Sequence, residues 1–321
     1  MIRSRAKDDS VRRRIEALGS SLSLPTVRKA LGVLEGEHSS TRRGGSDDPM
    51  DVRVYEPGDE ARLIDWKSSA RMGRPMVTSH ARSATSRVWL LCDVGREMTA
   101  GCARGDETAW QVAANGLRMF AALSLRRSDE VSLVFGDAKS ITRLPFHGGF
   151  AQFERTLDAA LDRDWSHGRN IDALLDYARR IRDRQALIVI ATDELAFGKR
   201  HIQAMAALAA THPVVLISVS LANPFDPAGA ARGLYDGSTG RRVPAMLRSA
   251  RAAEDVDLHR RYVAAALDHE LSRRGSWVVR AASSDMMFDS FVRLVSRSLS
   301  RSIRNQLRVS PTLGAAMEVG R

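Results

Sequence analysis

The sequence predicts an α/β protein organised on a mainly parallel sheet with helices on both faces. Short, almost wholly apolar runs recur at Val88–Cys92, Ala186–Ala191 and Val214–Val219, the pattern of strands buried on both faces. Segments with apolar residues at helical spacing separate them, and strands that alternate with helices pair in parallel. Two of the runs close on an acid, Asp93 and Asp193, so their carboxyl ends meet a polar edge.

In chain order, residues 1–20 are strongly charged and lead into a helix carrying Val11, Ile15 and Leu18. A second helix is expected over Pro25–Leu34, with Pro25 in its first turn and Val27, Ala30, Leu31 and Leu34 on one face. The polar run EGEHSSTRRGGSDDP reads as exposed loop. Val52 and Val54 are extended, and Pro57-Gly58-Asp59 forms a tight turn because proline fixes one dihedral and glycine permits the next. Leu63, Ile64 and Trp66 alternate imperfectly with Arg62, Asp65 and Lys67, which predicts a short irregular element with an anchored aromatic. Gly73-Arg74-Pro75 reads as a hairpin connection before Met76-Val77.

From Arg87–Asp93 onward the strands are expected at Glu130–Phe135, Ser140–Pro145, Ala186–Ala191, Val214–Val219 and Trp277–Val279. Helices are expected over Asp106–Arg127, Phe150–Leu161, Asn170–Ile181, His201–Ala210, Val256–Leu271 and Phe288–Leu299. The domain reading is an N-terminal helical and β-rich extension over 1–85, an α/β domain over 86–310 and a mobile tail over 311–321.

The formal net charge of +11 favours anionic partners: nucleic acid, an anionic membrane face or an acidic protein surface. Cys92 and Cys102 are too few for a disulfide scaffold, and no Cys/His grouping has zinc-site spacing. Cys92, inside an apolar run, reads as a buried reduced thiol. No apolar segment follows the N-terminal charges, and no run approaches the roughly 20 apolar residues that span a bilayer. The expected location is cytoplasmic, with peripheral attachment at the inner face of the membrane left open.

Sheets of this kind take ligands outside the carboxyl ends of their strands. That rule singles out Asp93, Glu97, Asp193 and Glu194. Carboxylates so placed suit Mg²⁺, which takes hard oxygen ligands and keeps several waters. Their structural alternative is helix capping or pairing with Arg96 or Arg104. No dinucleotide fingerprint, phosphate-binding loop or nucleophile elbow occurs. His80, His147, His167 and His212 lie near loops without an identified nucleophile.

LEGEHSSTRRG, RVYEPGDEARLIDWKSSARMGRP and VWLLCDVGREM, in that order, resemble the bacterial family classed as domain of unknown function 58. The matching positions are His38 after Gly36-Glu37, then Arg53, Tyr55, Pro57, Gly58, Asp59, Arg62, Asp65, Trp66 and Arg71. The resemblance implies a three-layer α/β domain of von Willebrand factor A (Rossmann-like) type after that segment. It also implies work alongside a MoxR-type AAA+ ATPase in assembling, maturing or activating a client complex. Such domains often hold Mg²⁺ at a metal-ion-dependent adhesion site made from an Asp-x-Ser-x-Ser loop, a Thr and a later Asp. Here the first element is Asp93-Val94-Gly95-Arg96-Glu97, without either serine, and Asn170 is the nearest substitute for the Thr. The site is therefore a degenerate one, with Asp93, Glu97, Asn170 and Asp193 as candidate ligands, and Arg96, if turned inward, as a competing cation.

The leading expectation is a noncatalytic protein-interaction module. The alternative is a nucleic-acid-binding protein using its basic surface, including Arg297, Arg301, Arg304 and Arg308. A Mg²⁺-dependent hydrolase using Asp93, Glu97 and Asp193 ranks third, because two-metal chemistry needs more convergent ligands. The motif segment reads as architectural, with Trp66 packed between the β-rich addition and the α/β body and Asp59 or Asp65 paired with Arg53, Arg62 or Arg71.

Overall fold

A computed structural model describes residues 10–18, 49–55, 64–80, 86–104, 106–226, 236, 239, 241–247 and 249–309. The expected helix at Pro25–Leu34, the Pro57-Gly58-Asp59 turn and the tail past residue 310 lie outside these residues. The chain divides into two compact units, Glu37–Thr85 and the remainder, Met1–Gly36 with Ser86–Arg321. The larger unit opens with helix α1, residues 10–18, which places Val11 and Ile15 in its core. On the same helix Arg12 makes a two-pronged ion pair with Asp158, at 2.8 and 3.0 Å.

In the smaller unit, strand β1 (Pro49–Val54) pairs antiparallel with β2 (Met76–His80). Between them lies a regular helix, α2 (Trp66–Met72), where the sequence reading expected an irregular element. Its ends explain its regularity. Asp65 is the N-cap, accepting from the Lys67 and Ser68 amides at 3.0 and 3.1 Å and from the Ser68 hydroxyl at 2.6 Å. The Ser68 hydroxyl, then its amide, hold the Asp65 carboxyl below its ordinary pKa. Gly73, at φ +66°, closes the helix in a left-handed conformation that suits glycine, so it ends α2 and is not a hairpin turn.

Buried Ser69 fastens α2 to β2: its hydroxyl donates to the Asp65 carbonyl at 2.7 Å and accepts from the Met76 amide at 2.8 Å. Within this unit the anchor of α2 on β2 is thus polar, where the sequence reading expected an anchored aromatic. Trp66 keeps 72% of its surface exposed. Asp65 directs its carboxylate to the helix terminus.

The larger unit is a six-stranded sheet flanked by helices. In chain order the elements are β3 (Arg87–Asp93), α3 (Ala109–Arg126), β4 (Glu130–Gly136), β5 (Ile141–Leu144), α4 (Phe150–Leu161), α5 (Ile171–Arg179), β6 (Leu187–Asp193), α6 (Lys199–Ala209), β7 (Val214–Val219), α7 (Ala250–Ser272), β8 (Trp277–Ala281) and α8 (Ser284–Val309). The spatial order is β5-β4-β3-β6-β7-β8, parallel except that β5 runs antiparallel to β4. The mainly parallel α/β expectation is met. Both α7 and α8 run longer than expected; α7 starts at Ala250 because Ser249 caps it, accepting from the Ala252 amide at 3.2 Å.

Alternation along the strands builds two cores. Val88, Leu90 and Cys92 of β3 face α3, α4 and α8, where Phe120 meets Phe291 edge-on at 4.9 Å. Leu91 faces the opposite way, toward Leu174 of α5, Met205 of α6 and Leu267 of α7. Cys92 and Cys102 are buried and free, and burial pushes the Cys102 thiol up to about 12. Among the described residues no helix is long and apolar enough to cross a membrane.

The arrangement fixes where a site can form. Successive strands are added outward on one side as β3, β4, β5 and then on the other as β6, β7, β8, so the winding reverses between β3 and β6. A crevice opens at the carboxyl ends of the strands on either side of such a reversal. Asp93 ends β3 and Asp193 ends β6.

Candidate functional site

Both strand-end acids are buried, and each is met by built-in donors. Asp93 Oδ1 accepts from the Gly95 amide at 2.9 Å, and its Oδ2 accepts from the Thr192 hydroxyl at 2.7 Å. Asp193 Oδ1 accepts from the Leu195 amide at 2.7 Å. Two carboxylates this deep need a cation, because desolvated charge is strongly unfavourable without a partner. Arg169 provides it.

The Arg169 guanidinium lies between the two acids. Its Nε is 3.2 Å from Asp93 Oδ2, and its terminal nitrogens both donate to Asp193, one of them at 3.2 Å to Oδ1. Burial works against the charged guanidinium, but Asp193, then Asp93, and the hydrogen bond to Asp193 carry its pKa above the ordinary value. Burial pushes the Asp93 carboxyl up, against the opposing pull of Arg169, Thr192 and the Gly95 amide.

The loop that carries Arg169 is pinned at three points. The Arg96 amide donates to the His167 carbonyl at 2.7 Å, and the Ala138 amide to the Gly168 carbonyl at 2.8 Å. Glu97 accepts from the Arg169 amide at 2.9 Å. Gly95 permits this approach, since a Cβ there would lie 2.5 Å from Arg169 Cα. Asn170, next in the chain, is the N-cap of α5 and accepts from the Ala173 amide at 3.0 Å.

These positions decide how a divalent ion would fit. Of the four candidate ligands, Asp93 and Asp193 are clamped on Arg169, Glu97 holds the Arg169 amide, and Asn170 caps its own helix. The donor set does not fit Mg²⁺, because a guanidinium stands between the two acids that would have to share the ion. Among the described residues no group of three or more His, Cys, Asp or Glu could hold a metal. The cation is Arg169, where the sequence reading had considered Arg96. Glu194, the other acid at this edge, accepts from the Leu221 amide at 2.9 Å and lies 3.2 Å from Arg260.

Thr192, beside Asp193 at the strand end, supplies its hydroxyl to Asp93. The structure also brings in a residue that sequence reasoning passed over: Asp137, buried just beyond β4, pairs with Arg163 at 2.6 Å. One signal did point to Arg169: Asn170 before an amphipathic helix marks an N-cap, which leaves residue 169 in the loop ahead of it. Of the motif residues, Arg53 lies on β1, and the Tyr55 amide donates to the Pro75 carbonyl at 2.9 Å. Arg71 is exposed on α2. His38, Pro57, Gly58, Asp59 and Arg62 lie outside the described residues.

Fold and site together define a doubly wound α/β protein whose switch-point acids are closed by an internal arginine. The chain belongs to the family described as "Protein of unknown function DUF58", whose profile matches residues 51–251. It is similar to the uncharacterized protein Rv1480 of Mycobacterium tuberculosis (strain H37Rv) and the uncharacterized protein Mb1516 of Mycobacterium bovis. Each is 26% identical over 202 residues. The match takes in 62% of this chain and 63% of each relative.

Proposed function

We propose that the larger unit is a von Willebrand factor A-like domain acting as a noncatalytic protein-interaction module. In this reading it serves a MoxR-type AAA+ ATPase in assembling, maturing or activating a client complex. The observation that carries the noncatalytic reading is the engagement of the edge carboxylates. Asp93, Asp193 and Glu194 each hold a backbone amide and face an arginine, so these three acids are tied up as internal counter-charges, while Glu97 accepts from the Arg169 amide. A general base or metal ligand needs a lone pair free for substrate or ion.

The strand order with one antiparallel edge strand supports the domain type, and the site at the β3/β6 reversal supports the edge as the contact face. Leu195, just past Asp193, is an apolar residue 48% exposed there.

A tagged full-length chain used as bait in native lysate is expected to recover an AAA+ ATPase, identified by mass spectrometry. Repeated recovery of no ATPase and no stable partner counts against the proposal. Trp66→Ala is expected to leave the unfolding free energy within the range of an exposed substitution, about ±0.5 kcal/mol, and so the melting temperature nearly unchanged. It should weaken recovery if the motif face is part of the contact. A large fall in melting temperature would instead return Trp66 to an architectural role.

A further inference from the structure

The departures from a metal-binding pattern at this edge are coupled to one another. A residue with a side chain at position 95 would collide with the backbone of Arg169, since a Cβ would stand 2.5 to 2.6 Å from its N, Cα and Cβ atoms. Glycine therefore lets the loop come close. Glu97, longer than the serine of the metal pattern, reaches the Arg169 amide and holds the loop in place at 2.9 Å. Thr192, which could have faced an ion, donates its hydroxyl hydrogen bond to Asp93. Gly95, Glu97 and Arg169 thus form one device, in which each replacement makes sense only with the other two.

We propose that Arg169 is the resident cation of the switch-point site, filling the place of a divalent ion and making the site independent of metal. The guanidinium spans both acids, as an ion shared by the ends of β3 and β6 would have to. Two planar donors on Asp193 also give it a fixed orientation that a hydrated ion lacks. Contacts made at this edge then persist without divalent cations.

The proposal is tested with Mn²⁺ alone as probe, read by its paramagnetic resonance signal and by thermal unfolding of the full chain. Wild type is expected to leave the free-Mn²⁺ signal and the melting temperature unchanged. Arg169→Ser is expected to melt lower and to gain Mn²⁺ binding at the vacated carboxylates, raising its melting temperature by about 3 °C when near-saturated. That gain should disappear when Asp193→Asn is added. Should Arg169→Ser fail to fold, Arg169→Lys keeps a positive charge in place and is expected to fold and stay silent to Mn²⁺. Saturable Mn²⁺ binding by wild type that Asp93→Asn abolishes would overturn the proposal. So would a folded Arg169→Ser that ignores Mn²⁺, or an Arg169→Lys that binds it.

Discussion

Arg169→Met is expected to lower the unfolding free energy by about 4 kcal/mol, the scale for removing one partner of a buried ion pair. In a unit of this size that is a fall of about 10 °C in melting temperature. Methionine keeps the length of the stem, so the loss reports the charge and its hydrogen bonds. Among the described residues, Asp93 and Asp193 are left buried with only Thr192 and backbone amides as donors. The same reasoning makes the effect non-additive. Adding Asp193→Asn to Arg169→Met removes a charge that has already lost its partner, so the double variant should lose less than the sum of the two, by about 1 kcal/mol or more. Denaturant titrations of the four proteins in the cycle check this, and strict additivity would contradict the clamp.

Gly95→Ser is expected to cost about 3 kcal/mol. The cause is steric. The atoms that a new Cβ would meet belong to Arg169, including its backbone nitrogen and Cα. They cannot withdraw freely, because the His167 and Gly168 carbonyls and the Arg169 amide are all hydrogen-bonded to other loops. Gly95→Ala should therefore be as damaging as Gly95→Ser, since the clash comes from the Cβ and not the hydroxyl. Chemical denaturation of both variants measures it. If serine is tolerated and alanine is not, the loop accepts a hydroxyl ligand and the steric account fails.

The frame of the larger unit could be read from residues alone. Unbroken apolar runs such as Leu187–Ala191 announce strands buried on both faces, and Asp93 and Asp193 mark strand ends wherever the sheet places them. What the runs do not encode is which strands are neighbours, and the site depends on β3 lying beside β6. Arg169 was missed for that reason: its partners are distant in sequence, and Arg96, beside Asp93, was the more obvious cation.

The smaller unit shows a different failure. Trp66 drew the reading toward a packed aromatic, yet the helix is set by its ends, Asp65 and Gly73, and by one buried hydroxyl, Ser69. Those residues carry the usual capping pattern. The bulk of the tryptophan outweighed them. The Ile64-Asp65-Trp66 segment, followed by Ser68-Ser69, thus contains a helix N-terminus, with the aspartate as cap and the tryptophan exposed.

Anomalous diffraction from crystals of the full-length wild-type chain grown with millimolar Mn²⁺ tests the central claim most directly. The account predicts guanidinium density between Asp93 and Asp193 and no manganese peak at that position. A manganese peak shared by the two carboxylates, with Arg169 displaced from them, would contradict it.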